Sequence, residues 1–104
     1  MTAFSLYILD YPTGATREDL ERSSLDAPIA KSLSPHASAC GPYGLSGWAE
    51  ERGHELFYVD NCWVRARVRG SDLPDFVREV LKADQDLVAG LAADGDYLIE
   101  AEEY

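Results

Sequence analysis

A chain of 104 residues, 46% of them hydrophobic, is long enough for one domain with a modest core, so we predict a single domain over residues 1–104. A formal net charge of −10 disfavours nucleic acid as a partner. No apolar run approaches the roughly 18 residues of a membrane span, no basic region marks a signal peptide at Met1–Leu6, and two cysteines are too few for a disulfide framework. We therefore expect a cytoplasmic protein without a membrane partner.

The first predicted element is a strand over residues 4–11, which ends at the turn Pro12–Gly14. Its apolar side chains alternate between the two faces of the strand. One face holds Phe4, Leu6 and Ile8, and the other holds Tyr7, Leu9 and Tyr11.

A helix is predicted next, because Thr16 and Asp19 have the spacing of a capping box. Its apolar stripe is thin and consists of Leu20 and Leu25.

A second short helical turn is predicted from Asp26, with Ile29 and Leu33 four residues apart on one side. Residues 34–47 are predicted to form a long irregular loop, because proline and glycine recur there. Residues 48–52 are predicted to add a short helical turn.

Residues 54–69 are predicted to form a β-hairpin with its turn at Asp60-Asn61. In this register Tyr58 pairs with Trp63, Leu56 with Arg65, and His54 with Arg67. One face would be buried and hold Phe57, Val59, Cys62, Val64, Ala66 and Val68. The other would hold His54, Leu56, Tyr58, Trp63, Arg65, Arg67 and Arg69. A third of the chain's nine basic residues would thus lie on one strand face.

A helix over residues 73–81 is predicted by a buried stripe, with Pro74 in its first turn. The stripe consists of Leu73, Phe76, Val77, Val80 and Leu81. A short helix is predicted from Asp84, and a last strand over residues 97–102 would direct Tyr97, Ile99 and Ala101 inward.

The predicted order is strand, helix, strand, strand, helix, strand. It indicates an α+β domain in which two main helices cover one face of a four-stranded antiparallel sheet. This βαββαβ order resembles the ferredoxin-like arrangement in topology only, and right-handed crossovers would place the first and third strands at the centre. The fold hosts many unrelated functions, so it implies none here.

The open face of the predicted sheet is the candidate binding site, because it is too apolar and aromatic to be left in water without a reason. The candidate partner-binding residues are Tyr7, Tyr11, Tyr58, Trp63, Arg65, Arg67, Arg69, Glu100 and Glu102. The loop over residues 34–47, a second copy of the chain or a different protein could cover this face. Alternatively, the arginines could pack over aromatic rings and pair with Glu100 or Glu102, with no partner at all.

Candidates for catalysis are few. His36, Cys40 and His54 are the residues that could supply a nucleophile and a base, with Glu55 or Asp60 to orient them. Two His and two Cys in the whole chain barely suffice for zinc, and Cys62 is predicted to be buried. We therefore predict no catalytic or metal-binding residues and no cofactor, and a binding protein is favoured over an enzyme.

The charge is concentrated near the end of the chain, because residues 83–104 hold seven acidic residues and no basic one. This pattern favours a small acidic interaction module, of the immunity or inhibitor type, that neutralises a basic partner such as a toxin or nuclease. A DNA mimic built on the same acidic segment is a third possibility.

The alternative from a different class is a small enzyme or ligand-binding protein of the dimeric α/β-barrel type. In it two open sheet faces would enclose a pocket lined by Tyr7, Tyr11, Trp63, Arg65 and Arg67. His36 or His54 would act there as the acid or base.

Overall fold

The computed structural model, which describes residues 3–104, is organised around one five-stranded antiparallel sheet. Its strands are β1 (Phe4–Asp10), β2 (Ile29–Ser32), β3 (Glu55–Asp60), β4 (Trp63–Arg69) and β5 (Asp96–Glu103). Their spatial order is β2-β1-β5-β4-β3. The α+β class is therefore confirmed.

The predicted strand count of four is wrong, and the ferredoxin-like order is not confirmed. The last strand, β5, lies between β1 and β4, whereas we expected the first and third predicted strands at the centre. β5 pairs with β1 from Phe4↔Glu103 to Asp10↔Tyr97 and is antiparallel to both neighbours. Leu98 and Ile99, which point to opposite faces of β5, are both fully buried, as a central strand requires.

The main helices are α1 (Arg17–Leu20), α2 (Gly41–Arg52) and α3 (Leu73–Phe76), the last of which continues as a π-helical segment, Val77–Leu81. Short 3₁₀ turns occupy Ser34–Ala39, Gly70–Asp72 and Gln85–Val88. The predicted helix over residues 73–81 and the predicted turn after Asp84 are confirmed, and the Asp84 side chain accepts a hydrogen bond from the Asp86 N–H.

The predicted loop over residues 34–47 is wrong, because its second half is the start of α2. Pro42 lies in the first turn of this helix, where its missing N–H costs nothing. Leu45, Trp48 and Ala49 are buried, so tertiary packing outweighs the weak helix propensity of the glycines. The helix ends at Gly53, whose φ of 76° lies in the left-handed region.

The predicted helical turn from Asp26 is also wrong. Residues Ile29–Ser32 form the edge strand β2, which pairs with β1 through Tyr7↔Ser32 and Ile8↔Lys31. Ile29 is 58% exposed, so only Leu33 of the expected apolar pair is buried.

The main core lies between one face of the sheet and the helices α2 and α3. The inward orientation predicted for β1 and β5 is confirmed, because Leu6, Ile8 and Ile99 are fully buried in this core. The other buried residues of the core that come from the hairpin and the helices are Val64, Ala66, Val68, Leu45, Trp48, Ala49, Leu73, Phe76, Val77 and Leu81.

The hairpin forms in a register that differs from the predicted one. Its turn is Asn61-Cys62, Asp60 pairs with Trp63, and the register shifts between Tyr58 and Asp60. An Asp60 carboxylate oxygen accepts a hydrogen bond from the Cys62 N–H at 2.7 Å, which stabilises this turn. Cys62 is consequently exposed, and the prediction that it is buried is wrong.

The changed register moves the side chains of β3 to the opposite faces. Tyr58 now pairs with Val64 and Phe57 with Arg65, so Phe57 shares a face with the arginines and Tyr58 lies on the helix-covered side. Phe57 is 1% exposed and belongs to a second apolar cluster with Leu9, Leu20 and Leu98, and this burial favours the observed register.

Residues 11–27, and not residues 34–47, cover part of the second sheet face. Leu20 of α1 is buried against it. The predicted capping box is confirmed, because Thr16 Oγ1 accepts from the Asp19 N–H at 3.2 Å and an Asp19 carboxylate oxygen accepts from the Thr16 N–H at 3.0 Å. Hydrogen bonds from Thr16 lower the pKa of Asp19.

The same segment blocks the free edge of β3. Arg17 Nη2 donates to the Leu56 carbonyl at 2.8 Å, and a Glu21 carboxylate oxygen accepts from the Tyr58 N–H at 3.3 Å. Arg17 and Glu21 therefore occupy the hydrogen-bonding groups that another strand would use.

Replacing Lys82 with glycine should stabilise the protein by about 0.5–1 kcal/mol, because Lys82 ends the π-helical segment with a φ of 53° that side chains disfavour. Urea unfolding measures this gain. Lys82→Ala keeps the strained Cβ and removes the same charge, so an equal gain in that control would show that the backbone conformation is not the cause.

Candidate functional site

Arg65 lies at the centre of the predicted binding face and is 1% exposed. Its Nε donates to Glu100 Oε1 at 2.8 Å. Its Nη1 donates to two backbone carbonyls, of Leu20 at 2.6 Å and of Arg22 at 2.8 Å. The guanidinium is therefore occupied by an internal ion pair and by the end of α1, so it fastens the covering segment to the sheet.

Arg67 is held in a similar way. Its Nη2 lies 2.5 Å from an Asp96 carboxylate oxygen, and its guanidinium lies 3.9 Å from the centroid of the Tyr11 ring. The hydrogen bond to Asp96 raises the pKa of Arg67. Arg69 is exposed, and it makes a long hydrogen bond of 3.4 Å to the Asp94 carbonyl.

Trp63 and Glu102 face each other across β4 and β5 at the far end of the arginine face. The Arg65 guanidinium lies 5.2 Å from the Trp63 ring centroid. Within residues 3–104 the buried Trp63 Nε1 has no hydrogen-bond partner. The pKa of Glu102 is raised by burial and then by the negative charges of Glu100 and Asp60.

The structure thus brings most of the predicted binding residues onto one face but separates Tyr58 from them. Tyr7 and Tyr11 pack at the margin of the second apolar cluster. Tyr58 is on the opposite side, 47% exposed, with its hydroxyl 3.5 Å from Glu50 Oε1. Burial and the charge of Glu50 raise the pKa of Tyr58.

The surface of the described chain contains open cavities of similar volume. One, of about 390 Å³, is formed by the segment from Pro12 to Asp26. The other, of about 370 Å³, is lined by Gly53, His54, Glu55, Arg67, Arg69, Asp72 and Asp96. Neither of these cavities is lined by four of the residues expected to line a barrel pocket, which are Tyr7, Tyr11, Trp63 and Arg65.

The candidate catalytic residues lie along the segment around α2. His36 is in the preceding 3₁₀ turn, Cys40 is the N-cap residue, and His54 follows the helix with its ring 5.0 Å from the Trp48 ring. Burial raises the pKa of the Cys40 thiol to about 12, so the thiolate that would act as a nucleophile is scarce at neutral pH. No group of three His, Cys, Asp or Glu in residues 3–104 is placed to hold a metal ion.

The two thiols should therefore differ in reactivity. At pH 8 we expect a disulfide reagent such as DTNB to modify one thiol per native chain, the exposed Cys62, because Cys40 is only partly exposed and its raised pKa keeps it protonated. Both should react in denaturant. Rapid modification of both thiols in the native parent, or of the one remaining thiol in the native Cys62→Ser variant, would contradict this account, since Cys40 should react in neither.

One exposed feature was missed by the sequence reasoning. Tyr43, Gly47 and Glu50 lie along the outer side of α2, where Tyr43 is 78% exposed, and Tyr58 of β3 adjoins Glu50. The spacing of three and four residues between Tyr43, Gly47 and Glu50 was available in the sequence. This spacing indicates a shared face only in a helix, whereas residues 34–47 are predicted from the sequence to be a loop.

No family model matches the chain, and no curated protein or solved structure matches it either. In the part of the chain that is described, no helix is both long and apolar enough to cross a membrane. The function must therefore be argued from the geometry and charge of this chain itself.

Proposed function

We propose that this protein is a small acidic interaction module that binds and neutralises a basic protein partner, in the manner of an immunity or inhibitor protein. The observation that carries the proposal is the distribution of charge. Six of the nine basic side chains form ion pairs within the chain: Arg17, Arg22, Arg52, Arg65, Arg67 and Arg78.

The acidic side chains are left in excess at the surface. Asp84, Asp86 and Asp94 are exposed and form no ion pair within residues 3–104. Such a field accelerates encounter with a positively charged protein and weakens as salt is added. It repels nucleic acid, which supports a protein partner.

The packing of the second sheet face also supports an interaction module over a barrel-type dimer. Residues 11–27 lie over part of that face, and Arg65 at its centre is buried and hydrogen-bonded to Glu100 and to the Leu20 carbonyl. A dimer that joined two such faces would have to displace this covering segment.

Affinity capture from the native host at low salt tests the proposal. We expect the wild-type protein to retain a basic protein that high salt releases. A variant with Asp84, Asp86 and Asp94 changed to Asn should associate with it about tenfold more slowly, since steering scales with charge. A control variant that removes three exposed carboxylates elsewhere, from Asp10, Glu18 and Asp26, should lose less of the association rate. Retention of no basic protein would contradict the proposal.

A further inference from the structure

The outer side of α2 is an exposed surface that the packing of the domain does not use. We define the α2 face as Tyr43, Gly47, Glu50 and Tyr58. Tyr43 and Tyr58 are 78% and 47% exposed, and the Tyr58 hydroxyl lies 3.5 Å from Glu50 Oε1. One tyrosine, Tyr58, thus lies beside the Glu50 carboxylate, and Tyr43 lies two helical turns before Glu50, with the exposed Gly47 between them.

The fold does not require glycine at position 47. A Cβ placed there would meet no atom within 4 Å, and the residue does not have a positive φ. Gly44 differs, because a Cβ there would lie 3.6 Å from the Cys40 sulfur. A glycine in the exposed interior of a helix is destabilising relative to alanine, so an explanation for Gly47 must lie outside the packing of this chain.

The charges around this face are mostly negative. Glu50 and Glu51 are exposed, and neither forms an ion pair within the described chain. Arg52 of the same helix is already neutralised, because it pairs with Glu79. A cation that approached Glu50 would therefore meet a carboxylate that has no cationic partner within residues 3–104.

Aromatic rings beside a free carboxylate suit a guanidinium in particular. Arginine stacks on a tyrosine ring and at the same time donates two hydrogen bonds to a carboxylate, whereas lysine acts as a point charge. Tyrosine and arginine are also among the residues that dominate binding energy at protein interfaces.

We propose that the α2 face binds an arginine-bearing segment of a basic protein. The guanidinium pairs with Glu50 beside the Tyr58 ring. The partner's backbone passes over Gly47, where the absence of a side chain permits close approach, and the rest of the segment packs against Tyr43. This inference rests on the proposed function, since it assumes that the partner is basic, and it adds where and through which side chain that partner is held.

An eight-residue peptide of alternating arginine and alanine serves as the probe. In ¹H–¹⁵N NMR titrations at low salt we expect the largest shifts at Gly47, Glu50 and Tyr58. The corresponding lysine peptide should bind several-fold more weakly, because it lacks the stacking plane of the guanidinium.

Matched variants separate this face from general electrostatic attraction. Gly47→Gln should weaken peptide binding roughly tenfold or more while raising the melting temperature by about 2–5 °C, because it adds a side chain and improves helix propensity. Gly90→Gln is the control, since a Cβ at this exposed glycine also meets nothing within 4 Å. It should leave the affinity unchanged.

The tyrosine and the carboxylate have their own controls. Tyr43→Ala should weaken binding about 3- to 10-fold, whereas Tyr104→Ala, which removes another exposed tyrosine, should not. Glu50→Gln should weaken binding more than Glu103→Gln, although both remove one negative charge.

Two results would overturn the inference. The first is peptide binding whose shifts lie in residues 83–104, with equal affinities for Gly47→Gln and Gly90→Gln. That result would show that the α2 face is not the binding site, and it would not contradict the proposed function as an acidic interaction module. The second is the absence of peptide binding at low salt, which would also show that the α2 face is not a binding site. The proposed function is tested separately, by capture of its partner.

Discussion

Replacing Arg65 with methionine is expected to destabilise the protein by about 3–5 kcal/mol, the typical effect of breaking a buried ion pair. Arg65 is 1% exposed, and the side chain of its partner Glu100 is 13% exposed. The substitution would leave the Glu100 carboxylate without its cation and the carbonyls of Leu20 and Arg22 without their donor. Urea unfolding measures the loss.

Two further variants make this result specific. Arg69→Met removes an exposed arginine from the same strand face and should change stability by less than about 0.5 kcal/mol. Adding Glu100→Gln to Arg65→Met should recover part of the loss, because the uncompensated charge is then gone. An Arg65→Met variant as stable as Arg69→Met would show that Arg65 does not hold the covering segment on the sheet.

Replacing Gly70 with alanine is expected to have the second large effect. The free energy of unfolding should fall by about 3 kcal/mol or more, because the added methyl group overpacks the site. An ideal Cβ at Gly70 would lie 1.8 Å from the Ala92 carbonyl oxygen and 3.1 Å from the Tyr97 ring. This oxygen belongs to the backbone of residues 92–95. That backbone is held close to Gly70, because the Gly70 N–H donates to the Gly95 carbonyl at 2.9 Å. The clash therefore cannot be relieved by rotation of a side chain.

The matched control for this prediction is Gly90→Ala, which adds a Cβ to open space and should change the free energy of unfolding by less than about 0.5 kcal/mol. Thermal unfolding followed by circular dichroism compares the two variants. If both melt at the temperature of the wild type, the close approach of the segments around Gly70 and Ala92 is wrong.

The elements that the sequence predicts well are those whose pattern is local. Alternation placed Leu6, Ile8 and Ile99 on the helix-covered face correctly, and the apolar stripe from Leu73 to Leu81 identified its helix. The pair Thr16 and Asp19 identified the start of α1, because a capping box depends on residues only three positions apart.

The elements that could not be predicted depend on distant contacts. α2 contains two glycines in its interior and is helical because Leu45, Trp48 and Ala49 are buried against the sheet. The hairpin register follows from the burial of Phe57 beside Leu20, which is 37 residues away in the chain. No turn motif within residues 54–69 reveals that contact.

The arginine face was predicted for β4, but its residues have a different environment from the one expected for an open surface. The alternative in which arginines pack over aromatic rings and pair with Glu100 is confirmed for Arg65, which lies over Trp63. Arg67 stacks on Tyr11 and pairs with Asp96. Trp63 and Glu102 are only partly covered, and Arg69 is exposed. A binding role for these three residues stays a prediction.

The central claim is that a monomer of this chain binds a basic protein through its acidic surface. Light scattering coupled to size exclusion tests it, at low salt and then at high salt, with the chain alone and with the basic protein that it captures. We predict 11.5 kDa for the chain alone, a 1:1 complex at low salt and dissociation at high salt. A chain that is dimeric alone, or a mixture in which no complex forms at low salt, would contradict the account.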